Sequence, residues 1–140
     1  MPSNVPDRLR QFVAKRADYC CEYCFLPQSV ALHKHEVDHI VPIQHGGETN
    51  EDNLALACLR CNRYKGPNIG SIDSETGKLV PFFNPRIHHW IDHFKLEKAI
   101  IKPLTAEARV TVRILCINDE DRVIERQFLM KVGLFGNIGK

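Results

Sequence analysis

Two cysteine pairs with the same spacing, Cys21 and Cys24 in C-E-Y-C and Cys58 and Cys61 in C-L-R-C, constrain this chain more than any other feature. Two such knuckles can surround one tetrahedral zinc ion with four thiolates, and a site closed by four sulfurs leaves no position for water or substrate. The spacing therefore predicts a zinc ion that holds the fold and performs no chemistry. Cys20 could replace Cys21 through a C-x-x-x-C spacing, but only Cys21 reproduces the spacing of the second pair. Cys116 stands far from both knuckles and is expected in the core.

The reading of six cysteines as metal ligands and not disulfides depends on the compartment. The start, MPSNVPDRLRQF, lacks the apolar centre of a secretory leader, and no run approaches the roughly 18 to 20 apolar residues of a membrane span. The expectation is a cytoplasmic protein without a membrane partner. At 140 residues, 44% hydrophobic and 26% charged, the chain is expected to be one globular unit over 1–140. A net charge of +2 does not by itself announce nucleic acid, so any such case rests on local clustering.

Between and around the knuckles the chain alternates short elements. Residues 6–17 place Leu9, Phe12, Val13 and Arg16 on one side of a short basic helix, with Pro6 suited to its first turn. The run EVDHIVPI is β-branched and stops at Pro42, which predicts a strand, and LALAC predicts a second. Residues 44–53, rich in glycine and turn-forming polar residues, predict a loop of roughly ten residues between them, a length that usually carries function. CNRYKG opens a helix that should end near Gly66 and Pro67. The predicted order is strand, loop, strand, helix over a core of about 18–67, followed by an extension over 68–140. In that extension NIGSIDSETGK reads as turns, and PFFNPR and HHWIDHF as loop or short strands. RVTVRILCI fits a strand or a helix, with the helix preferred, and DEDRVIERQFLMKVG reads as a helix ending at glycine.

The pattern C-E-Y-C, V-D-H-I-V-P, G-G, N-L-A-L-A-C-x-x-C-N-x-x-K-G, spanning 21–66, resembles the HNH endonucleases. The later F-N-P-R at 83–86, with Trp90 and His93-Phe94, resembles the tail of one bacterial subgroup. The resemblance implies an α+β fold: a small ββα-metal core stapled by a four-cysteine zinc, with flanking helices. It also implies hydrolysis of DNA phosphodiester bonds with a catalytic Mg²⁺ or Mn²⁺. His39 would be the general base, and an imidazole that titrates near pH 6.5 suits that task. Asp38 would give the divalent metal a hard oxygen, with Asn62 as its partner where the family name has a final histidine; an amide oxygen suits Mg²⁺. Asn53 would orient the His39 ring through its amide or its backbone carbonyl.

One geometric condition attaches to this reading. Adjacent residues of a strand point to opposite faces, so Asp38 and His39 reach one phosphate only if the strand bends. Glu36 shares the Asp38 face under strict alternation and reads as a supporting acid or a solvated one. Of the other histidines, His35 comes nearest to the expected site. Arg60, Arg63 and Lys65 on and beside the helix, together with Arg86, are the expected phosphate contacts, which bring affinity without sequence readout. Duplex or single-stranded DNA is the expected partner, with a homodimer or a protein partner as a source of specificity. The alternative is a non-enzymatic zinc-ribbon module that binds nucleic acid, which needs the cysteines and basic residues but leaves the Asp38-His39 pair without a role.

Overall fold

The computed structural model describes residues 5–136 and 138, so the outermost residues of the expected 1–140 unit lie outside the described residues. Helix α1 (Asp7–Arg16) follows Pro6, which occupies the cap position with φ −59°. It packs through Val5, Leu9 and Val13 onto Leu54 and Leu56. Phe12, expected on the buried face, is 42% exposed, and the Arg16 guanidinium lies over its ring at 5.1 Å. Within the helix the inward stripe thus follows Leu9 and Val13, one turn apart, and Val5 extends it just ahead of Pro6.

Strands β1 (Glu36–His39) and β2 (Leu54–Ala57) pair antiparallel, with Asp38 opposite Ala55 and His39 opposite Leu54. Every residue of β2 is buried. Its leucines pack with α1 while Ala55 and Ala57 join the cluster that contains the four knuckle cysteines. This division follows from the two-residue period of a strand. Helix α2 (Leu59–Lys65) begins where the Cys58 sulfur accepts a hydrogen bond from the Cys61 amide, and Gly66 ends it. The order strand, loop, strand, helix is therefore present as read from the sequence.

The extension adds two hairpins and three helices. β3 (Gly70–Ile72), in the run read as turns, pairs with β4 (Leu79–Pro81), which leads into the segment read as loop or short strands. A side chain at Gly70 would meet the Val80 carbonyl oxygen at 2.3 Å, so only glycine lets these strands approach. After α3 (Trp90–His93), β5 (Phe94–Glu97) pairs with β6 (Ile100–Pro103). α4 (Ala106–Ile114) is capped by Thr105, whose hydroxyl accepts from the Ala108 amide at 3.1 Å. That cap resolves the strand-or-helix ambiguity of RVTVRILCI in favour of helix. α5 (Glu120–Lys131) starts with two acids and stops before Gly133, whose φ of +77° glycine adopts without strain.

The larger apolar cluster joins the cysteines to Phe82, Phe83, Trp90, Phe94, Ile101, Val110, Leu115 and Ile117. Trp90 stacks on Phe94 and meets Phe25 edge-on, both at 5.0 Å, and its indole N–H donates to the Tyr23 carbonyl at 3.0 Å. The aromatic segment after Pro85 is thereby fastened to the first knuckle. Among the described residues no helix is long and apolar enough to cross a membrane.

Candidate active site and zinc centre

The four sulfurs of Cys21, Cys24, Cys58 and Cys61 lie within 4.8 Å of one another, and all four residues are buried. Cys24 Sγ and Cys58 Sγ are 3.7 Å apart. A tetrahedron with zinc–sulfur bonds of about 2.3 Å has edges of about 3.8 Å, so the set fits one zinc ion. In each knuckle the amide of the second cysteine points at the sulfur of the first, at 3.5 Å. Cys20 instead forms an isolated bridge with Pro27, and Cys116 is half-buried with its thiol directed at the Ile114 carbonyl.

The two residues inside the first knuckle reach the β ribbon. Glu22 accepts from the Leu56 amide at 2.8 Å, and the hydroxyl of fully buried Tyr23 donates to Asp38 Oδ2 at 2.9 Å. Burial and the neighbouring Asp38 carboxylate push the Tyr23 phenol well above its ordinary value, so it stays a donor. Sequence reading missed both roles. The C-x-x-C spacing drew attention to the sulfurs, and nothing local marks the residues between them.

Asp38 and His39 take different partners, Asp38 on α2 and in the first knuckle, His39 in the 44–53 loop. Asp38, 6% exposed, faces α2 and forms a buried ion pair with Lys65 at 3.2 Å. Lys65 also donates to the His39 and Ile40 carbonyls at 3.0 and 3.1 Å, where the chain leaves β1 and turns. Burial raises the Asp38 carboxyl, with Lys65 and Tyr23 opposing it. Lys65 itself is 1% exposed, which corrects its expected role as a phosphate contact: its charge is spent within the ββα unit. Asn62 does not meet Asp38 directly; its amide donates to Glu36 at 2.6 Å on the same strand face.

His39 retains 9% exposure. Its Nε2 shares a hydrogen bond with the Thr49 hydroxyl at 2.8 Å. Its Nδ1 has no partner among the described residues and is not sealed from solvent. Burial, aided by the Lys65 charge and opposed by Asp38, lowers its pKa below the ordinary histidine value of 6.5.

Asn53 does not touch the imidazole, contrary to the expected orienting contact. Its Oδ1 accepts from the Val41 amide at 2.9 Å, while its Nδ2 donates to the Val41 and Glu48 carbonyls at 2.9 and 2.8 Å. The side chain acts as one more rung of the β1–β2 ladder and clamps the loop that carries Thr49. A Cβ at Gly47 would lie 1.7 Å from the Val41 carbonyl oxygen, which explains one glycine of the G-G pair. Gly46, at φ +89°, explains the other. Asn53 thus reaches His39 only through the backbone, and the ring's own partner, Thr49, has no sequence signature beyond lying in the loop.

The remaining basic candidates divide. Arg86 is tied to Glu22 and donates to the Leu54 carbonyl, so its expected phosphate role is also corrected: a carboxylate in the first knuckle consumes the charge. Arg60 lies at the surface but pairs with Asp119 and Asp121. Arg63 is exposed and has no acidic partner among the described residues. His35 is buried with its ring on the Leu26 carbonyl at 2.7 Å, a packing role away from His39.

A two-stranded ribbon, a clamped polar loop and a short helix, set on four convergent thiols, define a ββα core of the HNH type. Residues 21–68, from the first knuckle to just past α2, match the family model described as HNH endonuclease. It is 32% identical over 109 residues to the CRISPR-associated endonuclease Cas9 of Corynebacterium diphtheriae, a match covering 69% of this chain and 10% of that protein. It is 27% identical over 112 residues to the Septu protein PtuB of Bacillus thuringiensis, covering 79% of this chain and 41% of that protein. The chain thus spans a minor part of the length of both relatives. No solved structure matches it.

Proposed function

We propose that this chain is a metal-dependent endonuclease that hydrolyses DNA phosphodiester bonds, with the four-cysteine zinc as scaffold and His39 as general base. The observation that carries the reading is the His39 ring, held at Nε2 by Thr49 and open at Nδ1. With Thr49 as acceptor, the Nε2–H tautomer leaves the Nδ1 lone pair free to take a proton from water. Burial keeps the ring neutral at physiological pH. The zinc-ribbon alternative gives this arrangement no task.

The donors opposite fit a hard divalent cation. Asp38 and Glu36 offer carboxylates and Asn62 an amide oxygen, the class of ligand Mg²⁺ and Mn²⁺ take. Asp38 and Asn62 would hold it. A carboxylate has about four acceptor positions, more than Tyr23 and Lys65 occupy on Asp38. Bound there, the ion supplies neutralisation of the charge that builds on the phosphate. Lys65 keeps Asp38 ionised and fixes the turn that brings the end of β1 toward the loop. Arg63 is the free cation nearest in sequence to this face and would meet the phosphate backbone. With Lys65 and Arg86 consumed internally, few phosphate contacts remain, so binding should weaken only modestly with salt.

The test is nicking of supercoiled plasmid with added Mg²⁺ or Mn²⁺, comparing wild type with His39→Ala. Loss of a general base predicts a rate lower by about 10²–10⁴-fold, with zinc content and melting temperature unchanged. Equal rates in the two proteins would remove the enzyme reading and leave the binding module.

A further inference from the structure

Outside the proposed hydrolytic face, the inner side of α5 carries two buried arginines. Arg122 and Arg126, 4% and 3% exposed, stand one turn apart and both face inward. Neither has a carboxylate partner among the described residues. Two acids just before Arg122 in sequence, Asp119 and Asp121, turn outward to Arg60 in the second knuckle. Arg122 turns instead to sulfur: its Nη2 lies 3.1 Å from Cys61 Sγ and 3.6 Å from Cys58 Sγ. Its Nη1 donates to the Leu115 and Cys116 carbonyls at 2.8 and 3.3 Å, which fixes the guanidinium in that orientation. Arg126 donates to the Ala99 and Ile117 carbonyls and to Asn118, beside the same cluster.

A buried guanidinium without an anion is among the costliest arrangements in a protein interior. A zinc ion on four thiolates carries two net negative charges, and that charge is equally costly to bury alone. We infer that Arg122 is the counter-cation of the zinc centre, donating charge-assisted hydrogen bonds to Cys58 and Cys61 so that zinc retention depends on the C-terminal helix. This rests on zinc occupying the four thiolates. Hydrogen bonds of this kind withdraw electron density from sulfur, which makes a thiolate a poorer target for protons and oxidants that eject the metal. The outer contact, Arg60 with Asp119 and Asp121, and the inner one, Arg122 with the sulfurs, fasten α5 to the second knuckle at two levels. The zinc centre therefore extends beyond the region matched by the family model.

The test measures zinc transfer from the full chain to the chromogenic chelator 4-(2-pyridylazo)resorcinol, alongside the thiolate-to-metal charge-transfer band of the Co²⁺-substituted protein. Arg122→Met should release zinc about 10- to 100-fold faster. Its Co²⁺ band should move to lower energy as the thiolates lose their donor. Arg113→Ala, which removes a surface arginine of α4 bonded to Ser71 and Ile72, should change neither. If Arg122→Met does not fold, Arg122→Lys takes its place. A lysine keeps the charge but cannot fork between the sulfurs and the Leu115 carbonyl, so it must move both readouts in the same directions. Release at the wild-type rate with an unmoved band, in a folded variant, overturns the role of Arg122. Absence of zinc from the wild-type protein by elemental analysis overturns the premise instead, and the two failures are distinguishable.

Discussion

The four-cysteine cluster and the proposed hydrolytic face both draw on α2, yet they are held by different kinds of bond. At the zinc centre, four sulfurs converge from two turns of identical spacing, and the arginines that balance them donate to backbone carbonyls. At the hydrolytic face, every group is held by a neighbour of another type: Asp38 by Lys65 and Tyr23, His39 by Thr49, Asn62 by Glu36. The contrast separates what a fold requires from what a reaction requires. A closed centre tolerates no missing ligand, whereas the proposed site, which would have to admit a phosphate, leaves one nitrogen of His39 and the Glu36–Asn62 edge toward solvent.

The sharpest way to break this comparison is to damage each side and read the fold. Cys58→Ser removes a ligand while its hydroxyl can still cap α2, and should abolish zinc binding and cooperative unfolding of the core. Structural zinc contributes on the order of 10 kcal/mol in small domains. Circular dichroism melts with elemental analysis check it, and a zinc-free variant that still melts cooperatively would show the staple to be dispensable.

A smaller effect is expected on the hydrolytic side. Lys65→Met strands the Asp38 carboxylate in the interior, and breaking one partner of such a pair costs about 3–5 kcal/mol. Adding Asp38→Asn should recover much of that loss, because the uncompensated charge disappears. Urea unfolding of the single and double variants measures it. Additive losses would mean that the two residues do not act as a pair.

How far the sequence could be read follows the same division. The knuckles, the β1–loop–β2–α2 order and the Asp38-His39 pair were legible because each is written in a few adjacent residues. Lys65 and Arg86 were misjudged because a basic residue looks alike whether it meets a phosphate or a buried carboxylate far away in the chain. Their partners, Asp38 and Glu22, become neighbours only through the fold. The Asn53 amide bonds to Val41 and Glu48 and not to the ring, since an amide beside a loop can serve backbone as well as an imidazole. The β3–β4 hairpin was missed because three-residue strands are too short to establish a period. Arg122 and Arg126 carry no mark of their own in the sequence, where the helix shows only its leading acids and closing glycine.

The protonation state of the His39 imidazole can be read directly from long-range proton–nitrogen correlation spectra of ¹⁵N-histidine-labelled protein as pH is varied. With its pKa lowered by burial, His39 should remain neutral down to a pH below 6.5 and take its proton only beneath that, with Nε2 carrying hydrogen and Nδ1 bare in the neutral form. A ring protonated at neutral pH, or one with its single hydrogen on Nδ1, would contradict a base poised to accept a proton from water.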